Sequence, residues 1–229
     1  NANAHTGSKG LKLIDDYVNY LCKTIKCKKN NILVSSTGVI GELINADLII
    51  NKIAEIKSNE TKKILDAAKA IMTTDTYPKL SSTKVTINNS SFRIYGIAKG
   101  SGMIHPNMAT MLAYIFIETT LSKSILKKLM KNNLENTFNS ISVDGDTSTS
   151  DTLVLFSIKN NKNIDFKDKK IFDKLNQSLK SVMQDLALKV IKDGEGITKL
   201  IKVNILNAKN MIQAKKIAFS IINSPLVKT

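Results

Sequence analysis

The stretch from Lys99 to Ala113, Lys-Gly-Ser-Gly-Met-Ile-His-Pro-Asn-Met-Ala-Thr-Met-Leu-Ala, constrains this chain more than any other feature. A Gly-rich turn leads to Pro106, then to a small residue and a hydroxyl, Ala109-Thr110, and an apolar run from Met111 to Ile117 follows at once. The hydroxyl therefore stands at the mouth of a buried strand, with pliable backbone just before it. Such a place suits a chain that cuts itself. Thr110 Oγ attacks the Ala109 carbonyl, an ester forms, and hydrolysis leaves Thr110 as a new N-terminus. The freed α-amine, with a pKa of about 8, can then serve as the threonine's own base.

Around this segment the chain reads as a mixture of helices and strands. Ile14, Tyr17, Val18, Leu21 and Ile25 recur at helical spacing, which predicts a helix over about 8–28. A short strand is expected at Ile32-Leu-Val34, ending in the Thr37-Gly38 turn, and helices over about 46–57 and 60–71. Val85-Thr-Ile87 and Phe92 to Ile97 flank Asn88-Asn-Ser-Ser91, a hairpin signal. Met111–Ile117 and Thr152–Ile158 read as strands, with a helix from Ser122 between them and a polar loop at 160–163 after the second. Ile171, Leu175, Leu179, Val182, Leu186 and Val190 mark the longest amphipathic helix; an alternating strand over 198–206 and a helix over 208–222 complete the series. The class is α/β or α+β, with helices layered on sheets and some antiparallel pairing.

With 229 residues, 42% of them hydrophobic, the chain can bury about 70% of its unfolded surface. Trp is absent, so the core rests on aliphatic side chains and Met. No apolar stretch of about 18 residues is present to span a membrane, and no signal peptide is read at the start. The formal net charge of +15 points towards polyanions, yet Arg93 is the only arginine. A nucleic-acid reader leans on Arg for bidentate contacts and on aromatic rings for stacking, so the scattered lysines read as solvated faces rather than such a surface. Their field can still help an anionic substrate. Cys22 and Cys27 lie in a helical pattern that sets them on different faces, without metal spacing, and read as reduced structural thiols of a cytosolic protein. Gly100-Ser-Gly102 lacks the third Gly of a dinucleotide loop, and Asp144-Gly-Asp146 lacks the downstream Glu of a calcium loop; no metal is expected at either.

Six further segments accompany Lys99–Ala113: Asn1-Ala-Asn-Ala4 with Thr6-Gly7, Ser36-Thr-Gly-Val-Ile-Gly-Glu42, Ala70-Ile-Met-Thr-Thr-Asp-Thr-Tyr-Pro-Lys79, Ser142-Val-Asp-Gly-Asp-Thr-Ser-Thr149, Asp193-Gly-Glu-Gly196 and Asn223-Ser-Pro-Leu-Val-Lys-Thr229. As a collinear set over the whole chain they resemble the ornithine acetyltransferase family, the bifunctional arginine-biosynthesis enzymes also called glutamate N-acetyltransferases. The pattern departs at His5, where Cys is usual, and at Ser150, where Asn is usual.

The resemblance implies a layered αββα-type fold with mixed sheets and flanking helices. It implies self-cleavage between Ala109 and Thr110 into an α-chain part, residues 1–109, and a β-chain part, residues 110–229, in a cytoplasmic heterotetramer of two α and two β chains. Both parts are expected to be shorter than in the family, with regions preceding Asn1 and following Thr229. The implied reaction moves the acetyl group of N2-acetylornithine to glutamate through an ester on Thr110, with ping-pong kinetics and no cofactor; some members also accept acetyl-CoA. Thr37 and Gly38 are the expected oxyanion donors, each worth about 3–4 kcal/mol. Thr76, Lys99, Thr110 and Glu195 are the expected substrate residues, with Lys99 and a Thr hydroxyl suited to a carboxylate and Glu195 to the ornithine cation. Asp144 and Asp146 are expected to order their turn. The competing readings are a related N-terminal-nucleophile amidohydrolase or aminopeptidase, in which water takes the acyl group, an inactive truncated fragment, and a non-enzymatic basic binding module.

Overall fold

In the computed structural model, which describes residues 1–55, 63–105, 111–161 and 164–228, the chain forms two units, Asn1–Lys63 and Ile64–Thr229. Ala109 and Thr110, with the cleavage and nucleophile assignments they carry, lie outside the described residues.

The first unit is built on α1 (Gly7–Ile25) and α2 (Ala46–Glu55). The helical spacing puts Leu13, Ile14, Tyr17, Val18 and Cys22 on one face of α1, where they cluster with Ala46, Ile49 and Ile50 of α2. Lys26 ends α1 in the left-handed conformation, at φ 54°. The helix therefore stops before Cys27. Its N–H returns to the Cys22 carbonyl at 3.0 Å, and the two thiols meet at 3.8 Å. This corrects the expectation of separate faces, since helical periodicity does not extend past the cap; both cysteines are free thiols. No strand forms at 32–34, where Leu33 and Val34 are exposed. The chain there is tied instead by Ala2 N–H to Val39 carbonyl and Gly41 N–H to Ala4 carbonyl, both 2.9 Å.

The second unit carries one mixed sheet of β1 (Lys79–Ile87), β2 (Ser90–Lys99), β3 (Leu112–Ile117) and β4 (Thr152–Ser157) in that spatial order. β1–β2 and β2–β3 are antiparallel, whereas β3–β4 is parallel, its crossover containing α4 (Lys123–Asn133). Alternation in β2 and β3 turns Phe92, Ile94, Ala98, Ala113, Ile115 and Ile117 into the core. There they meet α5 (Lys169–Ile191), whose Phe172, Leu175, Leu179, Val182, Met183, Leu186 and Val190 recur at three- and four-residue steps. Asp168 caps α5 by accepting the Ile171 N–H at 3.0 Å. Gly96 allows the close approach of helix and sheet: a Cβ there would stand 3.0 Å from Leu186 Cδ1. On the opposite face Tyr95, Phe116 and Phe156 stack in a row across three strands, with centroids 5.3 and 5.0 Å apart.

The hairpin, the buried third strand and the long helix stand where the sequence puts them. The expected helix at 60–71 is described as α3 (Ile64–Ala70). Residues 198–206 form no strand: the segment is irregular, and Leu200, Ile201 and Leu206 are exposed. Alternation marks an edge ready to pair, and among the described residues no strand lies beside it. α6 (Met211–Ile222) and α7 (Pro225–Lys228) follow. Among the described residues, no helix is long and apolar enough to cross a membrane.

Candidate active site

β2 and β3 flank the expected cut and pair antiparallel, with Ala98 opposite Ala113. The strands before and after the expected cut thus lie side by side in one sheet, and the structural division falls instead at 63/64. The loop from Ser142 to Asp151 grips the described residues on either side of the cut. Asp144 accepts the N–H groups of Met103 and, at 2.9 Å, of Ile104, and orders its own turn through the Asp146 N–H at 3.0 Å. Val143 N–H adds a bond to the Ile104 carbonyl at 2.7 Å. Beyond the cut, Asp151 Oδ1 accepts the Met111 N–H at 3.1 Å and Thr152 N–H donates to the Met111 carbonyl at 2.9 Å.

His105 is fixed from the C-terminal helices. Ser142 Oγ donates to Asn223 Oδ1 at 2.6 Å, which leaves the Asn223 amide nitrogen to donate to His105 Nδ1 at 3.0 Å, while the imidazole meets Phe219 edge-on. Through Asn223, the 223–229 motif reaches the residue that precedes Pro106.

Thr76, Lys99 and Glu195 come together at the end of β2 around a buried charge network. Lys79, fully buried, donates to Asp75 Oδ1 and Asp193 Oδ2, both at 2.5 Å. Asp75 also accepts the N–H groups of Gly100 at 2.7 Å and Thr73 at 3.1 Å. Asp193 accepts both the hydroxyl of Thr76 and its N–H, the latter at 3.0 Å. Burial pushes both carboxyls up, but Lys79 and these donors outweigh it and hold them below the usual carboxylate range.

Lys99 is only 2% exposed, so it is no solvated lysine; its ammonium donates to Thr73 Oγ1 at 3.1 Å. Burial pulls its pKa down, Asp75 opposes that, and Lys79 adds to it. A buried ammonium beside an exposed loop suits an anionic substrate group. Thr76 is exposed, but its proton is committed to Asp193, which leaves its oxygen able to act only as an acceptor. Glu195 is exposed; its N–H bonds the Ser101 carbonyl at 2.9 Å, and its carboxylate lies along Gly102, 3.2 Å from where a Cβ would stand.

Thr37 and Gly38 belong to the first unit. Gly38 adopts φ 126°, a conformation L side chains avoid, and a Cβ there would stand 3.1 Å from the Asn1 nitrogen. Ser36 Oγ donates to the Ala2 carbonyl at 2.8 Å, so this turn is fastened to the first residues of the chain.

The profile of the ArgJ family matches residues 1–229. The chain belongs to the ArgJ family. Curated relatives named "Arginine biosynthesis bifunctional protein ArgJ" include those of Bartonella henselae, 43% identical, and Gluconobacter oxydans, 41% identical, each aligned over 100% of this chain. The chain spans 57% and 55% of their lengths. The solved ArgJ structure from Bacillus halodurans is 39% identical, with a TM-score of 0.44 over 47% of this chain and 57% of that one. The mixed α/β class expected from the sequence is the class that the described residues adopt.

Sequence reasoning gave no role to Asp75, Lys79, Asp193 or Asp151. The first three lie inside the motifs 70–79 and 193–196, where a lysine opening a strand four residues after an aspartate was the available signal.

Proposed function

We propose that this chain is the central part of an ornithine acetyltransferase of arginine biosynthesis, cut between Ala109 and Thr110, with Thr110 as nucleophile. One observation carries the reading: a single loop, 142–151, holds the backbone on both sides of the cut, while Lys99, Thr76 and Glu195 gather at the end of the strand leading into it.

In this reading Lys99 binds the carboxylate of N2-acetylornithine, Thr76 accepts from a substrate N–H, and Glu195 faces the side-chain ammonium. Thr110 Oγ attacks the acetyl carbonyl while the Thr37 hydroxyl and Gly38 N–H receive the developing oxyanion. Ornithine leaves with the proton taken from Thr110. Glutamate then attacks the ester, and the hydroxyl is restored. Two half-reactions through one ester need no cofactor; acetyl-CoA is a second donor to be assayed. The cut protein assembles as two α and two β chains, and the biosynthetic role places it in the cytoplasm.

The full-length protein, given labelled N2-acetylornithine and glutamate without coenzyme A, is expected to form labelled N-acetylglutamate with parallel double-reciprocal lines. Release of free acetate with no transfer to glutamate would make it an amidohydrolase instead.

A further inference from the structure

Thr73 has no part in the reaction above, yet its hydroxyl stands against the group assigned there to the substrate carboxylate. Thr73 Oγ1 accepts from the Lys99 ammonium at 3.1 Å. A hydroxyl whose oxygen faces an ammonium turns its own proton away, and the cation makes that proton a stronger donor. Among the described residues no acceptor takes it. Asp75 is occupied otherwise: Lys79 and the Gly100 N–H bond its Oδ1, and the Thr73 N–H bonds its Oδ2. The hydroxyls beside Thr73 are engaged. Thr76 gives its proton to Asp193, and Thr74 pairs with the buried Ser101. Thr73, in contrast, is exposed.

One buried carboxylate sets this pair in place. Asp75 holds the Thr73 N–H at 3.1 Å and, at 2.7 Å, the N–H of Gly100, the residue after Lys99. The backbones that carry the hydroxyl and the ammonium are therefore tied to the same side chain before any substrate arrives. Lys79 balances the charge of Asp75, so an approaching anion meets no bare carboxylate there. An ammonium and an exposed hydroxyl 3.1 Å apart offer two donors side by side, as the two oxygens of one carboxylate require.

We propose that Thr73 is a specificity-determining residue, donating to one oxygen of the substrate α-carboxylate while Lys99 pairs with the other. The inference rests on Lys99 binding that carboxylate in the reaction above. It covers both half-reactions, because N2-acetylornithine and glutamate each carry an α-carboxylate and occupy the site in turn. The pair thus selects amino acids over simple amines.

The test is steady-state kinetics on full-length protein. Thr73→Val keeps the shape and removes the hydroxyl. It is expected to raise KM about tenfold or more for both N2-acetylornithine and glutamate, the worth of a hydrogen bond to a charged group, with kcat within about threefold. Thr73→Ser restores the hydroxyl and is expected to keep KM within about twofold of wild type. An unchanged KM in Thr73→Val, or an equal loss in Thr73→Ser, overturns the proposal. A second comparison separates contact with substrate from mere support of Lys99. Added to Lys99→Met, Thr73→Val is expected to raise KM a further threefold or so, because the hydroxyl donates on its own account. No further rise means that Thr73 only props Lys99, and overturns the proposal. A wild-type protein that moves no acetyl group from N2-acetylornithine overturns the underlying reading instead, and the proposal with it.

Discussion

The Lys79 ammonium stands 2.5 Å from Asp193 Oδ2 and so ties the first residue of β1 to the turn after α5. A second bond of equal length reaches Asp75, whose carboxylate holds the Gly100 amide. One buried cation thus fixes both Thr76, through Asp193, and the backbone after Lys99, through Asp75.

Lys79→Met leaves two carboxylates buried without their cation. The expected loss is about 3–5 kcal/mol of folding stability, the usual cost of breaking a buried pair from one side. Urea denaturation of the full-length variant measures it, and a loss under about 1 kcal/mol would mean the network is dispensable.

Acid should act through the same network. Asp75 and Asp193 titrate below their ordinary value of 3.8 in the folded chain. Their contribution is therefore present above that pH and is lost as pH falls through the lower folded values. Asp151 has the opposite sign: a carboxyl raised by burial to about 7 makes stability decline as pH rises from 3.8 towards 7. In the uncut Thr110→Ala protein, adding Asp151→Asn is expected to flatten that decline in the urea midpoint. An unchanged slope would contradict the burial assigned to Asp151.

Lys99→Met removes the proposed partner of the substrate carboxylate. KM for N2-acetylornithine is expected to rise about tenfold to a hundredfold, the worth of one charge-assisted hydrogen bond, with kcat changed less than about threefold. Lys99→Arg is not expected to rescue it, because a planar guanidinium does not fit a site made for a compact ammonium. A fall in kcat at constant KM would place Lys99 in the acyl-transfer step instead.

What the sequence made legible was periodic or local. The spacing of Leu175, Leu179, Val182 and Leu186 defined the helix that covers the sheet, and Asn88-Asn-Ser-Ser91 marked the β1–β2 turn. Thr76, Lys99 and Glu195 could be named from motif resemblance. Their support could not, since Lys79 and Asp193 are separated by 114 positions and meet only in the folded chain. Periodicity also failed where it lacked a tertiary partner. Alternation at 198–206 made no strand, and Lys26 ended α1 too early for helical spacing to place Cys27.

Mass analysis and N-terminal sequencing of freshly made full-length protein, before and after N2-acetylornithine, test the account most directly. Two chains are expected, one ending at Ala109 and one beginning at Thr110, with an acetyl group appearing on the Thr110 hydroxyl after donor is added. Thr110→Ala should give one uncut, unacetylated chain. A wild-type protein that stays whole, or that transfers acetyl groups at full rate with Thr110 replaced, would contradict the covalent mechanism.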